Sequence, residues 1–205
     1  MTATLLVGET WQTRPVPDEL PLLLVQDAAV WRAWLAEHHQ QPTGVWLVLA
    51  KKGTTQPTNL RYEQALDEAL CHGWIDGQLR RHDEHVYHQR FTPRRPRSTW
   101  SKRNVEHIER LTAEEHMHPT GLTAVADAKA DGSWDNAYAG AASIEIPTDL
   151  AVALADAPGA QKAFELLSAQ SRYRVLYRIT TAKRSETRRR HIQRYVEMLI
   201  RRETP

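Results

Sequence analysis

The sequence predicts an α+β protein: a small β-sheet packed with helices, followed by a C-terminal all-helical region. Three observations lead there. The run Gly44 to Ala50 (GVWLVLA) is apolar on both alternating faces, the signature of a strand covered on both sides. Tyr62, Ala65, Leu66, Ala69 and Leu70 recur at helical spacing before Gly73. From Pro147 onward the pattern is helical. The division predicted is an α+β domain over residues 1–146 and a helical domain over 147–205.

The first twenty residues hold Pro15 and Pro17 with no sustained period, and Pro21 follows them, so they read as an irregular lead-in. Asp27 then caps a helix in which Ala28, Trp31, Trp34 and Leu35 share a face, the two tryptophans being core anchors one turn apart. After the strand at 44–50, Lys51 and Lys52 form a solvated pair and GTTQPTN supplies a loop. The helix from Tyr62 to His72 ends at Gly73. Trp74 and Ile75 open a second strand, His82-Asp83-Glu84 turns the chain, and a return strand covers about His85 to Phe91. A helix begins at Lys102, with Val105, Ile108 and Leu111 on one side, and a shorter one carries Leu122, Val125 and Ala126 and ends near Gly132. The interval 132–147 is a connection. Thr148 or Asp149, then Ser171, then Ser185 are placed to cap the later helices, and Ile192, Tyr195, Val196 and Leu199 form the last apolar stripe.

Charge is distributed unevenly. The whole chain carries 27 Lys and Arg against 25 Asp and Glu, but residues 80–110 hold 9 against 4 and residues 171–205 hold 11 against 3. Such local excesses attract anions even on a nearly neutral chain. The first ten residues contain no Lys or Arg, as a secretory signal would require, and no apolar run reaches the ~20 residues of a membrane span. A single cysteine, Cys71, excludes an internal disulfide. The chain therefore reads as cytoplasmic, with no membrane insertion and an oligomeric state that the sequence leaves open.

The densest chemistry lies in Arg90 to Asn104, RFTPRRPRSTWSKRN, with six basic residues and two prolines. The prolines bar a regular helix before Ser98, so the arginines lead into a helix start, where unpaired N–H groups favour negative charge. Arg90, Arg94, Arg95 and Arg97 supply forks that fit carboxylate, phosphate or sulfate. Trp74 and Trp100 are candidate walls, Ser101 a cap for the helix at Lys102, and Asn104 takes the third helical position. The competing reading has these arginines paired with acidic residues of the same chain, for instance Asp67 and Glu68. Asp76 either orients an arginine or serves as a general base. Cys71 beside His72 reads as a small buried residue, since adjacent helical residues diverge by ~100°. His82, His85 and His88 alternate around a hairpin and do not converge, so no metal site is expected. No cofactor is expected either. The C-terminal stripe of Arg184, Arg188, Arg189, Arg190 and Arg194 has charge enough for phosphate contacts but no reading motif.

The runs ALDEALCHGWIDG and QRFTPRRPRSTWSKRN, with DLAVAL through SRYRVLYRITTAKRSETRRRHIQRYVEML, resemble the bacterial YdeI/OmpD-associated family, labelled bacteriocin-protection proteins, over roughly Leu20 to Arg201. The resemblance implies protection against peptide or other antimicrobial agents and an association with envelope stress. It carries no assigned reaction and no catalytic residues. The chain departs from the family pattern after the middle helix, where a glycine and an arginine are expected before a methionine and Glu115 and His116 precede Met117.

The leading expectation is a cytosolic protective or stress-tolerance protein that binds a small anionic or polar ligand, such as an antimicrobial agent. The ligand would lie between the sheet and the helix at Lys102, held by the arginines, walled by Trp74 and Trp100 and oriented by Asp76. One alternative is a resistance-type hydrolase or small-molecule-modifying enzyme with Asp76 or a nearby histidine as base. The other is nucleic-acid binding, the less expected partner.

Overall fold

The computed structural model describes residues 4–6 and 20–204, so most of the irregular lead-in expected over the first twenty residues lies outside the described residues. Within that lead-in, Thr4–Leu6 is a strand, β1. It is followed by β2 (Leu22–Leu24), α1 (Ala28–His38), β3 (Val45–Ala50), α2 (Tyr62–Cys71), β4 (Trp74–Arg81) and β5 (Val86–Pro93). The helices α3 (Lys102–Ala113), α4 (Pro119–Ala130), α5 (Thr148–Ala155), α6 (Pro158–Glu165), α7 (Ala169–Thr180) and α8 (Ser185–Ile200) complete the chain. The fold is α+β, as the sequence predicts.

The sheet order is β1-β2-β3-β5-β4. β2 and β3 run parallel, joined through α1, because parallel neighbours need a crossover. β4 and β5 form an antiparallel hairpin, and β5 inserts beside β3, with Val45 opposite Phe91 and Trp46 opposite Arg90. Every residue of β3 is buried, which explains its unbroken apolar sequence. β1 and β2 carry no sequence signal of their own, being three residues each.

Four aromatic rings fasten α1 to the sheet. Trp31 and Trp34 stack at 5.3 Å, Trp31 meets Trp74 edge-on at 6.3 Å, and Phe91 lies 5.7 Å from Trp31. The Trp31 indole N–H donates to the Ala65 carbonyl at 3.1 Å, tying α1 to α2. Both tryptophans of α1 are thus core anchors.

The described residues divide into two compact units. One holds those up to Ser98 together with Asn104–Asp135; the other holds Thr99–Arg103 with the residues from Asn136 on. The second unit has its own core, in which Leu150 and Leu154 of α5, Phe164 of α6, Val175, Leu176 and Ile179 of α7, and Ile192 and Leu199 of α8 are buried. Its helix caps correct the expectation. Pro147, Ser168 and Arg184 precede α5, α7 and α8, so Thr148 and Ser185 are first helical residues and Ser171 lies inside a helix, donating its N–H to Ser168 Oγ. Proline can stand at the α5 boundary because no N–H is needed there. Asp149, one residue further in, accepts both Nε and Nη2 of Arg188 at 2.6 and 2.8 Å, and that guanidinium holds its carboxyl below the usual range. Among the described residues no helix is long and apolar enough to cross a membrane.

Candidate functional site

α1 stops where its last ring nitrogens turn back on the helix: His38 Nδ1 meets the Trp34 carbonyl and His39 Nδ1 the Ala36 carbonyl, each at 2.8 Å. The loop from His39 then reaches β3 through Gly44, packed so closely on β5 that a Cβ there would run into the Phe91 carbonyl oxygen. On the other side β5 ends at Pro93, and the Arg94 N–H donates to the Gly73 carbonyl at 2.9 Å. Between this loop and the segment 90–96 lies a cleft of about 500 Å³. His39, Gln40, Gln41 and Thr43 line one side, Arg90, Arg94 and Arg95 the other, with Leu20, Pro42 and Pro93 among its apolar surfaces.

Arg90 is the distinctive residue. It is half-buried, set opposite Trp46 across the β3–β5 ladder, and its Nε is buried with no acceptor among the described residues. A buried donor left unsatisfied costs about 1–3 kcal/mol, so such a group marks a place that an acceptor would complete.

Three of the sequence-predicted ligand residues, Arg90, Arg94 and Arg95, therefore come together. Arg97 is exposed and outside the cleft lining, and Trp74 is fully buried in the aromatic core beneath. Asp76 Oδ2 accepts the Tyr62 hydroxyl at 2.9 Å and faces Phe91 in the β4–β5 register. Trp100, Ser101 and Lys102 belong to the second unit. There Trp100 is buried, Ser101 bridges to Tyr138, and the Lys102 N–H donates to the Tyr138 carbonyl at 2.9 Å. Asn104, in the first unit, is buried. The acidic pair Asp67 and Glu68 is taken by other cations: Glu68 by Arg32 at 2.6 and 2.7 Å, Asp67 by His107 and Arg110 at 2.7 Å.

Cys71 is buried, and that burial pushes its thiol up to about 12, far from nucleophilic use. His82 and His88 stack at 4.6 Å on one face of the hairpin, as alternation requires. Among the described residues no group of three or more His, Cys, Asp or Glu is arranged to hold a metal. Sequence reasoning missed the loop wall, His39 to Gly44. Its residue types carry no motif, and only the β3–β5 register brings them to the arginines. A further histidine array starts at that wall, since the His39 ring lies 5.4 Å from His118, which stacks at 4.7 Å on buried His72.

Comparison with family models gives two matches. Residues 143–202 match the family described as Bacteriocin-protection, YdeI or OmpD-Associated, and residues 23–124 match a domain of unknown function (DUF8412). The family resemblance is therefore carried by the C-terminal helices, while the arginine-rich motif and the cleft fall in the second match. No curated protein and no solved structure matches the chain.

Proposed function

We propose, from the premise that the chain belongs through residues 143–202 to the bacteriocin-protection, YdeI or OmpD-associated family, that it is a protective protein which binds a small anion in the first-unit cleft. The observation that carries this reading is the buried Nε of Arg90, without an acceptor among the described residues, in the wall of a cleft that Arg94 and Arg95 also line. A carboxylate, sulfate or phosphate oxygen would satisfy that donor and pair with neighbouring guanidiniums. Gln40, Gln41 and Thr43 add neutral hydrogen-bonding groups, and the prolines give the ligand an apolar surface to lie on. Binding, rather than turnover, is what this arrangement supports: the Asp76 carboxylate holds the Tyr62 hydroxyl and lies outside the cleft lining.

The test is a calorimetric titration of the protein with sulfate, repeated on Arg90→Gln and on Arg97→Gln. A charge-assisted hydrogen bond of about 1.5–3 kcal/mol predicts affinity roughly ten- to a hundred-fold weaker for Arg90→Gln and unchanged for Arg97→Gln. Equal losses in both variants would reduce the effect to general charge and overturn the reading. The protective role is read from survival of a bacteriocin-sensitive strain expressing each variant. Arg90→Gln is expected to lose protection that Arg97→Gln keeps.

A further inference from the structure

The second unit sets its cations beside tyrosines. α7 buries Val175, Leu176 and Ile179 in the helical core, so the opposite side of the helix carries two rows at i, i+4 spacing, Tyr173 with Tyr177 and Arg174 with Arg178. The tyrosines are half-buried and the arginines exposed. The Tyr177 ring lies 5.8 Å from that of Tyr173 and meets Tyr138 edge-on at 4.9 Å. Tyr138 is tied in turn to the start of α3: its N–H donates to the Trp100 carbonyl and its carbonyl accepts the Lys102 N–H, each at 2.9 Å. The exposed Lys102 therefore leaves the backbone next to this row of rings.

Charge on this part of the unit has one sign. Between Glu165 and Glu186 the chain holds five basic residues, Arg172, Arg174, Arg178, Lys183 and Arg184, and no acidic one. Arg172 is engaged within the unit, its Nη2 donating to the Glu165 carbonyl and its guanidinium lying over the Phe164 ring. α8 differs, because its exposed Arg189, Arg190 and Arg194 share the helix with exposed Glu186 and Glu197. We propose that the α7 face binds single-stranded nucleic acid, with bases stacked on Tyr173 and Tyr177 and phosphates held by Arg178, Arg174 and Lys102. Aromatic rings interleaved with arginines suit this ligand above other polyanions: every base offers a π face, and guanidinium forks fit phosphate oxygens. A duplex hides its base faces, and an acidic peptide or an anionic lipid surface has no planar group to stack. The net basic charge of the unit, 14 Lys and Arg against 7 Asp and Glu in its sequence, supplies the attraction. This surface is independent of the anion cleft of the first unit.

The test is fluorescence anisotropy of a labelled oligothymidylate of about fifteen nucleotides, titrated with the full chain between about 50 and about 200 mM salt. The wild type is expected to bind it at least about tenfold tighter than a duplex of the same length. Tyr173→Leu should weaken binding roughly tenfold while Tyr173→Phe, which keeps the ring, preserves it. Arg178→Gln should lower the slope of log K against log salt by about 0.7, and Arg194→Gln on α8 should leave affinity and slope unchanged. The proposal is overturned by absence of binding, by a duplex bound as tightly as the single strand, by Tyr173→Leu of wild-type affinity, or by equal losses in Arg178→Gln and Arg194→Gln. Competition by polyglutamate as effective as by unlabelled oligothymidylate would assign the face to an acidic protein instead. Should Tyr173→Leu fold poorly, photocrosslinking of the wild type to a bromouracil-substituted strand decides: adducts must map to Tyr173 or Tyr177, and adducts confined to other residues contradict the stacking.

Discussion

Arg97 sits with φ 61° in a turn closed by the Ser98 N–H donating to the Arg95 carbonyl at 3.1 Å, with Pro96 before it. Proline followed by a positive φ is the type II pattern, whose third position favours glycine. Glu115 has the same conformation, φ 58°, at the end of α3, where the His116 N–H reaches the Leu111 carbonyl and the Glu115 N–H the Thr112 carbonyl. Those two bonds define a Schellman cap, whose left-handed position favours glycine. Glu115→Gly is expected to raise stability by about 1 kcal/mol, read as a higher urea midpoint at unchanged slope. His72 gives a pH prediction. Its native value is lowered from 6.5, chiefly by burial, so the unfolded chain binds the proton more readily. Stability must then fall as pH drops below about 6.5, levelling off beneath the native value. His72→Asn, which keeps a donor for the Glu68 carbonyl, should flatten that acid-side loss in denaturation curves taken between about pH 7 and pH 5.

At the scale of elements, the long periodic runs were legible. Val45–Ala50 has no polar break because both faces are covered, and Tyr62–Cys71 repeats its apolar residues at helical spacing. The insertion of β5 between β3 and β4 was not, since no local pattern records which strand a hairpin arm will join. That insertion makes the site: it sets Trp46 against Arg90 and Val45 against Phe91, and so brings the loop after α1 to the arginines. The arginine wall could be read as a cluster, and the loop wall from His39 to Gly44 could not. The short strand Leu22–Leu24 lacked enough residues to show alternation. Helix packing beneath the site is equally exact in its demands. Gly121 of α4 lies against the end of α2 so closely that a Cβ would strike the Cys71 carbonyl oxygen, a backbone atom with little freedom to give. Gly121→Ala should cost at least about 2 kcal/mol by overpacking, measured as a lower melting temperature.

The whole molecule divides its charge as it divides its structure. The sequence of the first unit, residues 1–98 and 104–135, carries 13 Lys and Arg against 18 Asp and Glu, and that of the second carries 14 against 7. The cleft arginines therefore belong to the acidic unit. In the basic unit Arg188 is committed to Asp149, so the C-terminal stripe is partly structural. The helical core there stands on residues such as Leu150, fully buried in α5. Leu150→Ala should remove about 2–5 kcal/mol, seen as lost hydrogen-exchange protection in α5 to α8.

The central claim is that Arg90 waits for an anion, and the most direct measurement observes its Nε–Hε resonance while sulfate is added. The account predicts a saturable, one-to-one shift of that resonance, present in the wild type and absent from Arg90→Gln. A resonance unmoved at saturating sulfate, with small unsaturating shifts spread over exposed arginines instead, would contradict it.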